Sequence, residues 1–313
     1  MARLILVLSF AIFFLFASFR SFAAPIKEED DKKPDNVIID EDVKISKAID
    51  KAMTSVDVAL AGGKKLVNTL NVTRLTIRNQ INWPQGGPFA YNPHLDVRLH
   101  LPNFEKKWQL KFITYDQNQE DLGINRDRLK TVPIRNDYAG SIGVLQKLGE
   151  VNVEFEPRIQ FQGGVQVSYY SKLTSSASTK YFSIHPEAQF FAKSDTGVGE
   201  FFAGNIDFPI YKTFTATLIN EEQYLDQSDI LSTNNGVGFA YNYNDTMSQN
   251  YTLIFEFTSR PNFQLGLYTV ATSFTHKFYK NVLHYTIQPY LAFSNTIDYL
   301  GAPGINFELD LIF

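Results

Sequence analysis

The segment Ser183-Ile184-His185-Pro186-Glu187 puts a hydroxyl, an imidazole and a carboxylate at alternate positions, the three side-chain types that acyl transfer uses. On a strand all three project from one face. Same-face neighbours two apart stand roughly 7 Å from one another, beyond the hydrogen-bond reach of about 3 Å, so the spacing favours a polar network over a catalytic relay. We therefore expect no catalytic residue and no enzyme; the rival reading is a hydrolase using Ser183 or His185. The remaining histidines, His94, His100, His276 and His284, show no metal-ligand spacing, and the chain has no cysteine, so neither a metal nor a cofactor is expected.

A second set of chemically active residues is larger. Arg74, Arg78, Asp96, Arg98 and Lys111 fall on alternate positions of segments whose intervening residues are apolar. Glu154, Glu156, Arg158, His185 and Glu187 do the same, as do Glu256, Glu308 and Asp310. If these segments are strands around an aqueous interior, the charged row lines it. Segregated signs would give a transverse field and a selective pore, whereas interleaved signs would give a salt-bridge plug. Arg126, Arg128, Lys130 and Arg135 form a basic cluster in a long connection; it could meet lipopolysaccharide phosphates, or be a solvated loop whose field Asp121 and Asp127 dilute.

The elements that must carry these residues are strands. Leu95, Val97, Leu99 and Leu101 alternate with His94, Asp96, Arg98 and His100, and Val151, Val153, Phe155, Pro157 and Ile159 alternate with Asn152, Glu154, Glu156 and Arg158. The closing run, Ile305 to Phe313, keeps apolar residues at odd positions and Asn306, Glu308 and Asp310 at even ones. One face suits lipid and the other water. Many segments reach ten residues, the length that a tilted transmembrane strand needs and longer than an ordinary strand of about five or six. Of the abundant aromatics, 27 Phe and 16 Tyr, many fall near segment ends, as at Tyr241, Tyr243, Tyr251, Tyr285 and Phe293, which suits interfacial girdles. Pro157, Pro186 and Pro289 fall inside segments on the apolar row and predict local bulges.

Fourteen strands are expected, with twelve as the alternative, and the glycine-broken stretch around residues 138–148 is the weakest of them. Both ends on the periplasmic side would put the connections at 84–92, 117–135, 222–234 and 295–302 outside.

Residues 1–23 read as a signal peptide, with Arg3 ahead of an uncharged run from Leu4 to Phe16 and small residues at Ser21 and Ala23. Residues 24–71 comprise a charged linker and an amphipathic helix over residues 41–60, a candidate contact for a periplasmic protein partner. Residues 72–313 are the barrel. A net charge of −4 argues against nucleic acid as a partner. Mean hydropathy just below zero, with no second long apolar run, excludes a bundle of membrane helices but not a barrel, where only alternate residues meet lipid.

The run from Leu95 to Phe112, containing Leu101-Pro102-Asn103-Phe104 and Trp108, together with Pro303 to Phe313, resembles a widespread, functionally uncharacterised family of proteobacterial outer-membrane β-barrel proteins. The resemblance spans most of residues 72–313 and carries no catalytic signature. It implies an all-β, transmembrane, antiparallel up-and-down β-barrel in the outer membrane of a Gram-negative bacterium. The partners to expect are outer-membrane lipid, lipopolysaccharide, and the barrel-assembly machinery acting on the strand that ends at Phe313. A porin-like channel for small polar or ionic solutes is the leading expectation, and a non-conducting structural or assembly barrel the alternative.

Overall fold

The computed structural model describes residues 74–85, 87–100, 108–115, 136–161, 165–194, 197–278 and 282–312, together with Lys51 and Ser55. The strands all fall in one of the chain's two units, residues 38–313. They are β1 (Arg74–Pro84), β2 (Ala90–His100), β3 (Trp108–Tyr115), β4 (Asn136–Leu148), β5 (Val151–Gln160), β6 (Gln166–Ser175), β7 (Ala177–Ser178), β8 (Ser183–Lys193), β9 (Gly197–Tyr211), β10 (Phe214–Leu225), β11 (Ile230–Asn242), β12 (Met247–Thr258), β13 (Gln264–Phe278), β14 (Leu283–Ser294) and β15 (Gly301–Ile312). The signal peptide, the linker and the 117–135 connection lie outside the described residues, as does the expected helix except for Lys51 and Ser55. Those two are helical, and the Ser55 hydroxyl donates to the Lys51 carbonyl at 2.8 Å.

The architecture is an all-β, antiparallel, up-and-down sheet. Each long strand pairs with its sequence neighbour, β6 pairs with β8 from Ser168↔Lys193 to Thr174↔Glu187, and β1 pairs with β15 from Thr76↔Ile312 to Pro84↔Gly304. β7 is a two-residue addition to the edge of β8. The glycine-broken stretch is a full strand, β4, of 13 residues.

Two expectations are corrected. Residues 222–234 are mostly strand, because β10 runs to Leu225 and β11 begins at Ile230. Pro157 and Pro289 introduce no bulge. The β4–β5 ladder passes from Ser141↔Arg158 to Val144↔Phe155, and β13–β14 from Ala271↔Tyr290 to Phe274↔Ile287, each skipping the proline without changing register. Proline lacks the N–H for that rung, and its opposite edge still pairs. The register shifts occur instead at Phe214/Thr215, Glu256/Phe257 and Ile113/Tyr115.

Burial is inverted relative to a water-soluble sandwich. On β5 the apolar Phe155 and Ile159 are each 46% exposed, while Glu156 and Arg158 on the other face are 5% and 2% exposed. The same division recurs on β10, where Leu218 is exposed and Thr217 and Glu221 are buried, and on β2, where Leu95 is exposed between buried His94 and Asp96. A face of this extent covered by apolar side chains marks contact with lipid or protein rather than water.

Close packing within the sheet uses glycine where a ring crosses a neighbouring strand. At Gly304 a Cβ would stand 2.3 Å from Cζ of Tyr290, so the Tyr290 ring lies flat on bare backbone; Phe191 covers Gly199 in the same way.

Candidate functional site

The buried face is where the chemically active residues gather. Arg78 and Asp310 are direct partners across the β1–β15 ladder, and the guanidinium engages both carboxylate oxygens, Nε to Oδ1 at 2.9 Å and an Nη to Oδ2 at 3.3 Å. Glu308, one inward position along, is 3.7 Å from the same Nε. A planar fork matched to a carboxylate is the strong form of such a pair. Beside it runs an amide chain: Asn82 donates to Asn306 at 2.5 Å and Asn306 to Gln288 at 3.2 Å, linking β1, β15 and β14.

Same-strand pairs use the two-residue repeat. Arg98 donates from Nε to Asp96 at 2.9 Å, and Arg158 donates to Glu156 at 2.9 Å. The Arg158 guanidinium also lies 4.9 Å from the Tyr170 ring centre, and the Lys193 ammonium 5.5 Å from the Phe191 ring, so cations and buried aromatic rings alternate across β5, β6 and β8. Lys172 on β6 meets Glu187 on β8 at 2.9 Å.

The face is different on β9 to β13. Ile219, Ile254 and Ala271 form a buried apolar cluster with Tyr290 packed against it. Neutral donors reach the carboxylates here: Asn205 donates to Glu221 at 3.0 Å, and the Thr217 hydroxyl donates to Asp207, which His185 also approaches. Glu256, on the same row as Ile254, is exposed and has no hydrogen bond or ion pair among the described residues.

Of the residues singled out from sequence, Arg78, Asp96, Arg98, Glu156, Arg158, Glu187, Glu308 and Asp310 lie on the buried face in four charge clusters, the last pairing Glu187 with Lys172. Glu154 lies on the same row of β5, opposite Lys172 in register. Arg74 and Lys111 both pair in register with Arg98; their side chains are outside the described set, as are Arg126, Arg128, Lys130 and Arg135. The Ser183-His185-Glu187 row does not act together. His185 lies 3.3 Å from Asp207 on β9, whereas Glu187 turns to Lys172 on β6. Among the described residues no group of three or more His, Asp or Glu side chains could hold a metal ion.

Sequence reasoning missed Lys172 and the inward rings of Tyr170 and Phe191. Strand parity was the available signal for all three, since they share rows with Ser168 and Gln189, while residue type pointed the aromatics outward.

In backbone the chain is similar to an outer-membrane protein of Vibrio cholerae, OmpT lacking loop L8, at 7% identity over 78% of this chain and 99% of that chain, with a TM-score of 0.45. It is similar also to the outer membrane channel DcaP of Acinetobacter baumannii, at 8% identity over 80% of this chain and 99% of that chain, TM-score 0.45. The NanC porin shares 8% identity over 76% of this chain and 98% of its own, TM-score 0.40. These structural neighbours are outer-membrane barrels. No family model and no curated protein sequence matches the chain.

Proposed function

We propose that this protein is a bacterial outer-membrane β-barrel with fourteen spanning strands that passes small polar or ionic solutes. The observation that carries the reading is the inverted polarity: on β2, β5, β6, β8, β10, β13, β14 and β15 buried polar or charged side chains, Arg158 and Glu156 among them, lie opposite exposed Phe, Leu, Ile or Val. A hydrocarbon environment stabilises that outer face, and an interior of hydrated or paired polar groups stabilises the inner one. The pairings β6–β8 and β1–β15 fit closure, because they give all fourteen long strands a partner on each flank. Closure removes the unpaired edges that lipid could not solvate.

The ion pairs run along the wall. Arg78 with Asp310, Arg98 with Asp96, Arg158 with Glu156 and Lys172 with Glu187 each join one strand to itself or to its neighbour. Such pairs neutralise buried charge without having to span the interior, which favours a passage over a cross-braced plug. Residues Arg98, Arg158 and Glu154 would bias which ions pass. Single-channel recording on the purified chain in planar bilayers tests this: discrete open events are expected, and a membrane-inserted protein that never conducts removes the channel reading.

A sealed structural or assembly barrel is the second reading, favoured by the near-complete burial of Arg158, Gln80 and Ser168. Under it, residues 41–60 would bind a periplasmic protein, and deleting residues 25–62 would abolish co-purification of that partner. Under both readings the chain has no enzymatic role. Lipopolysaccharide contact through Arg126, Arg128, Lys130 and Arg135, and handling by the assembly machinery through the strand ending at Phe313, belong to the same proposal.

A further inference from the structure

One stretch of the exposed face is unsuited to lipid. Asn220 and Asn235 are direct partners across the β10–β11 ladder, each near the middle of its strand. Both lie on the exposed row, with Leu218, Val237 and Phe239 on one side and the pair Glu222 and Thr233 on the other. Asn220 commits its backbone N–H to Asn205 Oδ1 at 3.0 Å, and its side-chain amide has no partner among the described residues. Asn235 makes only a long bond, 3.4 Å, to Thr233 on the same row.

Other amides on the exposed row are shielded. Asn79 accepts from the Tyr91 hydroxyl at 2.8 Å, and Gln249 is 8% exposed and accepts from Tyr243 at 2.6 Å. The Asn220 site is also where the β9–β10 ladder skips from Leu218↔Ile206 to Glu221↔Ala203. Gly204, opposite that gap, has open space where a Cβ would stand. Two independent features, an amide without a partner among the described residues and an interrupted ladder, therefore fall together at mid-strand.

We propose that this stripe on β9, β10 and β11 is a self-association surface, and that its occupant is a second copy of this chain related by a two-fold axis along the membrane normal. The inference rests on the barrel reading, which puts the exposed row in hydrocarbon. Acyl chains offer no donor or acceptor, so the amides are stabilised only by another membrane-embedded surface with polar groups at the same depth. A second copy inserted in the same direction meets that requirement by construction. A carboxamide both donates and accepts, so Asn220 of each copy can pair with Asn235 of the other in an isologous contact. Gly204 lets the walls approach, and Leu218, Val237 and Phe202 supply the apolar surround. Glu222, exposed two residues further along the same row, lies nearer the turn at 226–229.

The chain contains no cysteine, so one introduced thiol reports one position. Equimolar full chains carrying Asn220→Cys and Asn235→Cys, folded together into phosphatidylcholine liposomes and oxidised, are expected to yield a disulfide-linked dimer well above the level that either gives alone. Val167→Cys, on the exposed face of β6, is expected to give several-fold less. In detergent the unmodified chain should have the mass of a dimer by light scattering. The double variant Asn220→Leu/Asn235→Leu should have that of a monomer, with the heat-modifiable gel mobility of a folded barrel retained. A wild-type monomer or trimer, cross-linking of the mixture no higher than that of either chain alone or of Val167→Cys, or a double variant that stays dimeric each overturns the proposal. Recovery of the chain in the aqueous fraction overturns the membrane reading along with it, whereas an inserted monomer overturns the association alone.

Discussion

The buried face has two halves that solve the same problem differently. Around β15, β1 and β2, and again on β5, β6 and β8, each buried carboxylate stands against a guanidinium or ammonium group, as Arg78 does with Asp310 and Lys172 with Glu187. From β9 to β13 the carboxylates of Asp207, Glu221 and Glu256 share the wall with Ile219, Ile254 and Ala271; Glu221 accepts from an amide, and Asp207 accepts from a hydroxyl and lies 3.3 Å from the His185 imidazole. Removing a buried ion from water carries a penalty of several kcal/mol, which an opposite charge offsets more fully than a neutral dipole does. The first half sets opposite charges against each other, and the second relies more on neutral donors.

The sharpest way to break that contrast is Arg158→Ala. It takes the guanidinium away from Glu156, only 5% exposed, and should destabilise the folded protein by about 3–5 kcal/mol in urea unfolding from liposomes. Glu221→Gln, which keeps a hydrogen-bonding group opposite Asn205, should lose under about 1 kcal/mol in the same assay. Equal losses would erase the distinction between the halves. Next in size is Gly304→Ala, whose Cβ would collide with the Tyr290 ring; a loss of about 1–3 kcal/mol is expected, partly restored by the second change Tyr290→Ala. Glu256→Gln should leave stability within about 0.5 kcal/mol while shifting the reversal potential under a KCl gradient toward less cation preference.

The smallest effect lies in a turn outside the spanning strands. Arg260, hydrogen-bonded to Asp229, holds that carboxyl below the usual carboxylate range, with Tyr224 adding a second donor. A depressed carboxylate stabilises the fold above its unfolded pKa, and the contribution is lost as pH falls through the lower, folded value. Arg260→Ala should raise the Asp229 midpoint toward an ordinary aspartate, read by carbon-13 carboxyl titration, with no change at neutral pH in the buried clusters.

The strands were legible wherever alternation was strict, because a period of two tells the two faces apart whatever the medium. Leu95 to Arg98 and Ile305 to Asp310 declare both faces in this way. The stretch from Glu222 to Asn234 was misjudged because its residue types are those of loops. An interior row accepts Glu221 and Asn234 as readily as an external turn would. The charged rows were legible, but their partners were not: Arg78 and Asp310 are 232 positions apart, and only the β1–β15 register brings them together. Arg158 with Glu156, by contrast, follows from strand parity alone.

That long-range seam has a kinetic consequence. Bringing two chain segments together across a separation of 232 positions before anything between them has formed would cost about 5 kcal/mol of loop entropy. Hairpins formed in succession from β2 to β14 shorten that span to a few strand widths, so the lowest-barrier route joins the first and last strands at the end. Until then both carry raw edges of unpaired N–H and C=O groups, and the half-zipped ribbon is the species most exposed to mispairing with its neighbours.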